Sequence, residues 1–279
     1  MDLKAMQDHA KNIRKNIIKE VSNAQSGHPG GSLGAADILT VLYFDVMDFT
    51  KENAHSLDRD RFVLSKGHAS PLLYAVLAEK GIIDEAELLT FRKLNSRLQG
   101  HPDINELDGI DMSTGSLGQG TSASVGMALA NRLDKNDHRI YALVGDGEAE
   151  EGQVWEAAMF ASHYHLDNLL AIVDYNGLQI DGQLSEVCSP EPIPEKFAAF
   201  GWHVIDVKDG NDVEQISAAI AEAYTVKNQP TCLILNTVKG KGATFAEPSG
   251  AHSSQPTKEQ WDEAIAASEA QLAAIRAEQ

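Results

Sequence analysis

Asp146 lies in Gly145-Asp146-Gly147, directly after the apolar run Ile140–Val144. Asn176 lies in Asp174-Tyr175-Asn176-Gly177, directly after a second apolar run, Leu169–Val173. A carboxylate and a carboxamide thus stand at the ends of two successive strand-like segments. A helical stretch, Gln153 to His165, separates the two. Ligands of open α/β sheets bind beyond the carboxyl ends of the strands, and hard oxygen donors there suit a magnesium ion carrying a diphosphate. Asp-Gly alone is a turn signal. The strand–turn–helix context and the second donor thirty residues later raise this pair above a simple turn.

Four histidines, His28, His68, His101 and His252, occur in loops bearing glycine or proline. Such imidazoles can donate hydrogen bonds, hold phosphate or shuttle protons near neutrality. They lack zinc-ligand spacing. His9, His55, His138, His163 and His165 read as exposed, and His203 as a packing residue within a strand. Gly115-Ser116-Leu117-Gly118-Gln119-Gly120 opens a helix, where free N–H groups and absent side chains let a ligand approach or a helix pack closely. Lys239-Gly240-Lys241-Gly242 follows a strand and reads either as a phosphate-facing turn or as a solvated one; it lacks P-loop spacing. Cys232 falls in an apolar strand and reads as core.

The elements that must position these residues alternate. Apolar spacing predicts an amphipathic helix over 3–22 and helices over 35–46, 84–94 (capped by Asp84), 118–133 and 212–226. A further helix restarts after Pro71. Strands are predicted at 61–65, 140–144, 169–173, 203–207 and 231–236. Residues 26–32 read as a glycine-rich loop, 99–118 as irregular, and 177–200 as a proline-bearing excursion covering one edge of a site. A tail helix over 257–275 carries an N-cap at Thr257. The pattern predicts one α/β domain over 1–279, with a doubly wound, mostly parallel sheet flanked by helices.

Composition bounds the function. The chain has 279 residues, 43% of them hydrophobic, and a net charge of −18. That acidity argues against nucleic acid, which calls for a basic stripe. No run reaches the length of a membrane span, and no signal-peptide core is visible at the N-terminus. Two cysteines without a C-x-x-C motif fit a reducing compartment. A cytoplasmic protein is expected.

Seven motifs, in order, carry a resemblance: Ser26-Gly27-His28-Pro29-Gly30, Ser65-Lys66-Gly67-His68, Gly100-His101-Pro102, Thr114 to Gly120, Gly145-Asp146-Gly147 through Glu151-Gly152, Asp174-Tyr175-Asn176, and Ile180-Asp181-Gly182. Together they resemble the N-terminal, diphosphate-binding half of the thiamine-diphosphate-dependent transketolases, over residues 5–260 or so. The resemblance implies that Asp146, Asn176 and the carbonyl of Leu178 hold Mg²⁺ (or Ca²⁺ or Mn²⁺), with diphosphate and water completing the shell. It implies cofactor contacts from His68, Gly115, Ser116, Leu117, Gly147, Glu148, Asn176, Ile180 and His252. His28, His68, His101 and His252 are the implied catalytic histidines, and Glu151 the implied member of a carboxylate network across a subunit interface. Two positions depart from the pattern: Ser116 replaces a frequent proline, and Ser253-Ser254 follow His252 where glycine is usual.

The implied reaction moves a two-carbon ketol unit from a ketose, phosphorylated or otherwise, to an aldose. In full-length members a second domain supplies the glutamate that activates the cofactor's aminopyrimidine. A split enzyme is therefore expected, with a complementary C-terminal subunit in an α2β2 assembly. The rival readings are half of a deoxyxylulose-phosphate synthase, the alpha chain of a 2-oxo-acid dehydrogenase, or a catalytically silent binding subunit. Asp146 is expected to face solvent, so that Asp146→Ala would abolish metal-dependent binding and spare the fold.

Overall fold

The apolar runs become strands buried on both faces. In the computed structural model, which describes residues 1–247, 252 and 257–277, the strands are β1 (Arg61–Leu64), β2 (Ile140–Gly145), β3 (Leu169–Tyr175), β4 (Leu178–Gln179), β5 (Gly182–Gln183), β6 (His203–Val207) and β7 (Thr231–Asn236). Five of them form one sheet in the order β1-β2-β3-β7-β6, parallel throughout. β4 and β5 make a separate antiparallel hairpin. The helices are α1 (Leu3–Ala24), α2 (Pro29–Gly34), α3 (Ala36–Val41), α4 (Ser70–Glu79), α5 (Gln119–Asp134), α6 (Gly152–His163), α7 (Leu184–Val187), α8 (Ile193–Ala199), α9 (Val213–Ala223) and α10 (Lys258–Ala277).

Strand alternation sends side chains into two cores. Tyr141, Leu143, Leu170, Ile172, Leu233 and Leu235 join the core that includes α1, α3, α4, α9 and α10. Ile140, Val144, Leu169, Val173, Cys232 and Ile234 join the core formed with α5, α6 and α8. A parallel sheet covered on both faces requires such unbroken apolar strands, which is why these runs do not alternate with polar residues. Cys232 is core, as expected. The register pairs Gly145 with Asp174 and Tyr175 with Asn236, so the polar residues that follow β2, β3 and β7 emerge side by side.

Three elements differ from the sequence expectation. The glycine-rich segment is not all loop: Pro29 at the first helical position pre-sets φ, and α2 begins there. The helix expected over 35–46 breaks at Ala35 and ends in a π-helical turn, Leu42–Val46. The stretch at 84–94 reduces to a 3-10 turn, Glu85–Thr90. The Asp84 side chain caps it at Ala86 N–H, and Leu88 is its one buried residue, too small an apolar face to extend a helix. The tail helix runs over Lys258–Ala277. Thr257 and Gln260 cap it reciprocally, each side chain bonding the other's backbone N–H, the capping-box arrangement. Among the described residues no helix is long and apolar enough to cross a membrane.

The start of α5 is pressed onto the end of β1. A Cβ on Gly120 would lie 2.5 Å from Ser65 Oγ and 2.6 Å from Ser65 Cα, whereas one on Gly126 of the same helix would meet nothing within 4 Å. Gly126→Ala should therefore raise stability by about 1 kcal/mol through helix propensity. Gly120→Ala should lower it by about 1–3 kcal/mol through overpacking. Denaturant melts of the two variants should move in opposite directions.

Candidate active site

Asp146, buried at 2% exposure, is tied to the β3–β4 turn. Its Oδ1 accepts the N–H of Gly147 at 2.8 Å. Its Oδ2 accepts the N–H of Asn176 at 2.7 Å and of Gly177 at 2.6 Å. The carboxylate therefore folds the turn that presents the Asn176 amide and the Leu178 carbonyl. Asn176 Oδ1 accepts Leu178 N–H at 3.1 Å, and its Nδ2 donates to Asp174 at 3.2 Å. The expectation of a solvent-facing Asp146 is thus corrected. Register places it over the end of β3, with its own N–H donating to the Asp174 carbonyl. Burial, with the neighbouring Asp174 charge, pushes its pKa up to about 6 against the pull of the three N–H donors.

A second buried carboxylate, Asp174, pairs with the Lys66 ammonium; each side chain is 2% exposed. Burial alone would raise the Asp174 pKa, but Lys66 together with hydrogen bonds from Thr237 and Asn176 outweighs it and holds the carboxyl below its usual range. Lys66 Nζ also donates to the Gly31 carbonyl at 2.8 Å, and Thr237 bonds Asp174. Lys239 is buried as well, and its Nζ donates to the Leu178 carbonyl at 2.8 Å. Of the two readings of the 239–242 turn, the structure adopts the one facing the site. Burial lowers the Lys239 pKa to about 8, while Asp146 and Asp174 oppose that shift.

Above this floor stand three imidazoles. The ring centroids are 5.1 Å apart for His28–His68, 5.2 Å for His28–His252 and 5.1 Å for His68–His252. Burial, reinforced by Arg92, His101 and Lys239, lowers His28 to about 4. Burial with Lys66 lowers His68 to about 2, and burial with Lys239 lowers His252 to about 4. All three are neutral near pH 7. The Nδ1 atoms of His28 and His252 are buried without a hydrogen-bond partner, so they can serve the oxygens of a ligand.

One cleft joins these groups. Its empty space is ≈ 800 Å³, open solvent at the mouth included. It is lined by His28, His68, His252, Asp146, Gly147, Glu148, Asn176, Leu178, Gly115, Leu117 and Ile180 from the sequence expectation, and by Gly31, Lys66, Asp174, Gln179 and Lys239 besides. Three expected residues stand outside the lining. His101 lies behind Gly115, where a Cβ would come within 3.2 Å of its ring. Ser116 is exposed in the turn before α5. Glu151 is exposed at the start of α6, with its Cβ 3.1 Å from where a Gly118 Cβ would be. Ser253 and Ser254 lie outside the described residues. Sequence reasoning assigned no role to Lys66 or Asp174; the available signal was a charged residue of each sign ending an apolar strand.

The donor set fits a hard divalent cation. Among the described residues no three His, Cys, Asp or Glu side chains gather as a metal cage. Here the Asp146 carboxylate, the Asn176 amide oxygen and the Leu178 carbonyl all belong to residues lining the cleft. That leaves room in an octahedral shell for phosphate oxygens and water.

A family model described as the thiamine diphosphate binding domain of transketolase matches residues 5–272. The chain belongs to the transketolase family. It is 45% identical to the 6-deoxy-6-sulfo-D-fructose transketolase subunit SqwG of Clostridium sp. strain MSTE9, over 94% of this chain and 95% of that protein. It is 41% identical to a subunit of the apulose-4-phosphate transketolase of Phocaeicola vulgatus, over 95% and 94%. The transketolase structure from Campylobacter jejuni superposes with a TM-score of 0.86 at 33% identity, covering 99% of this chain and 48% of that one. The chain thus spans about half the length of the solved transketolases it matches. The parallel sheet flanked by helices is the thiamine-diphosphate-binding fold of these transketolases.

Two outcomes follow from the site's burial. Asp146→Ala strips three backbone N–H groups of their acceptor, so it should cost about 1–3 kcal/mol of stability in addition to abolishing metal-dependent ligand binding; chemical denaturation of the metal-free chain measures the first. The second concerns pH. His28, His68 and His252 have folded-state pKa values below the ordinary 6.5, so the unfolded chain takes up protons first as pH falls. Their contribution is neutral above pH 6.5 and becomes destabilising below it, down to about pH 4 for His28 and His252 and to about pH 2 for His68. Asp146, shifted upward, acts in the opposite sense. Comparing His68→Asn with the parent isolates the histidine: the stability gap between pH 7.5 and 5 should shrink in the variant.

Proposed function

We propose that this chain is the thiamine-diphosphate-binding subunit of a two-chain transketolase, which moves a two-carbon ketol unit from a ketose to an aldose. The observation that carries the reading is the Asp146 clamp: one buried carboxylate shapes the Asn176–Leu178 turn into an oxygen floor facing three neutral histidines. Asp146, Asn176 and the Leu178 carbonyl would hold Mg²⁺, or Ca²⁺ or Mn²⁺ in its place. Lys239 and the histidine Nδ1 atoms would take diphosphate oxygens. Leu117 and Ile180, apolar and at the cleft wall, would flank the cofactor's rings; Ile180 is 69% exposed, as a residue awaiting a partner surface is. Ser116 and Gly147 would approach the cofactor through their backbone.

The bound cofactor supplies the carbanion chemistry that ketol transfer needs. This chain's residues anchor it and move protons on substrate oxygens. Neutral His28, His68 and His252 can each donate from one ring nitrogen and accept at the other. His101, behind Gly115 and lowered in pKa by burial and the nearby Arg92, would act as a donor to the ketose. The charges of Lys66, Lys239 and Arg92 disfavour protonation of the neighbouring histidines. Glu151, exposed next to the 115–118 turn, would join carboxylates of a second chain.

The complementary C-terminal subunit, in an α2β2 assembly, would supply the rest of the site. The two relatives aligned end to end with this chain are both named as subunits, which supports a partner. The substrates in their names are a sulfonated ketose and a phosphorylated one, so a ketose with an anionic far end is the substrate class proposed here. We place the protein in the cytoplasm and expect it to need neither nucleic acid nor a membrane.

The test is reconstitution. Titrated with Mg²⁺ and thiamine diphosphate, the chain mixed with its cognate C-terminal subunit should bind the cofactor and transfer ketol units to an aldose acceptor. The chain alone should show no transfer, and pyruvate should not release CO₂. Ketol transfer by the chain alone, or pyruvate decarboxylation by the mixture, would overturn the assignment.

A further inference from the structure

We propose that Glu148 is a positioning residue that fastens the 115–118 turn, one wall of the cleft, to the strand ends that form its floor, and so sets the cofactor's rings relative to its diphosphate. This rests on the cofactor reading above. Glu148 lies in the 3-10 turn Gly147–Glu150 after β2 and is 3% exposed. Its Oε1 accepts Ser65 Oγ at 2.5 Å and Gly118 N–H at 2.8 Å, and its Oε2 accepts Gly145 N–H at 3.0 Å. The three donors come from the end of β1, the turn before α5 and the end of β2. One carboxylate therefore joins three segments that are distant in sequence, and each of its oxygens is engaged by protein.

The turn needs that hold. Within it, the bond from Gln119 N–H to the Ser116 carbonyl is long, at 3.4 Å. Gly118 has φ +82°, a left-handed conformation suited to glycine. Its N–H, at the cap of α5, has no acceptor within the helix. A buried carboxylate satisfies that N–H, and the N-terminal end of the helix dipole favours its charge. Leu117, the apolar residue of the turn, faces the cleft, while Lys66, next to Ser65, lies on its charged floor. Moving the turn would displace the ring-facing wall, whereas the bonds of Asp146 to residues 147, 176 and 177 do not involve Glu148, whose bond nearest to Asp146 is the one from Gly145 N–H.

The experiment compares two ligands on the full chain mixed with its C-terminal subunit, and adds one ligand-free measurement. Glu148→Ala and Glu148→Gln are titrated by calorimetry with Mg²⁺ plus thiamine diphosphate and with Mg²⁺ plus inorganic pyrophosphate. Amide hydrogen exchange is followed without ligand. Glu148→Ala should weaken thiamine diphosphate by about tenfold or more and pyrophosphate by less than about twofold. Amides 117–119 should exchange about tenfold faster or more, with Asn176 and Gly177 unchanged. Glu148→Gln keeps an acceptor for Ser65 and Gly118 but turns an NH₂ toward Gly145 N–H, so it should fall between; it also decides the matter if the alanine variant does not fold. Equal losses for both ligands, or unchanged exchange at 117–119, would overturn the positioning role. If the parent assembly binds pyrophosphate as tightly as thiamine diphosphate, the cofactor reading fails instead, and the exchange data still test the hold of Glu148 on the turn.

Discussion

The site depends on one buried ion pair. Lys66, at the end of β1, reaches past Gly145 at the end of β2 to Asp174 at the end of β3. Desolvating two such charges costs several kcal/mol per ion, and their attraction repays this only with further hydrogen bonds. Gly31, Thr237 and Asn176 provide those bonds. Replacing the pair with apolar side chains could pack as well, so stability alone does not explain it. What it achieves is placement. A fixed positive charge lies beneath the histidines, and a fixed negative charge lies beside Asp146, in a pocket bounded by three strand ends and α2.

The consequences of that pair extend outward. Burial and then the Asp174 charge raise the Asp146 pKa, yet three backbone N–H groups converge on Asp146 and make it the fold-point of the 176–178 turn. Burial and then the Lys66 charge lower His68, which stays neutral beside two other imidazoles. Neutral rings can pack within about 5 Å of each other without the repulsion that three imidazolium ions would suffer. The electrostatics of the floor therefore permit the histidine cluster above it.

Much of this was legible in the sequence. The Gly145–Gly147 and Asn176 positions stood out because parallel strands deliver their functional residues at their ends, and the apolar runs marked those ends clearly. The fold class followed from the same alternation. The ion pair was not legible: nothing in Ser65-Lys66-Gly67-His68 states that Lys66 points inward, since partner choice depends on the strand order β1-β2-β3. Asp146 was misjudged for the same reason, because its burial comes from the neighbouring turn and not from its own segment. The 84–94 stretch had helical spacing, but only Leu88 found a core to enter. Lys239 gave two readings until β7 was seen beside β3.

The three histidines also show why the cleft is built mainly from backbone and short loops. A histidine held neutral by burial and nearby cations keeps one donor and one acceptor nitrogen, and these stay aimed only if its ring stays oriented. The surroundings must therefore be rigid at the level of the main chain. Glycines supply part of this rigidity by permitting close approach. A Cβ on Gly67 would fall 2.6 Å from Thr114 Oγ1 and 2.7 Å from the Gly115 nitrogen, so the segment carrying His68 and the 115–118 turn are in direct contact. The same closeness that excludes a side chain at Gly67 ties the histidine-bearing loop to the wall of the cleft. The loop carrying His68 and the wall formed by residues 115–118 consequently pack as one unit, anchored through Lys66 to Asp174.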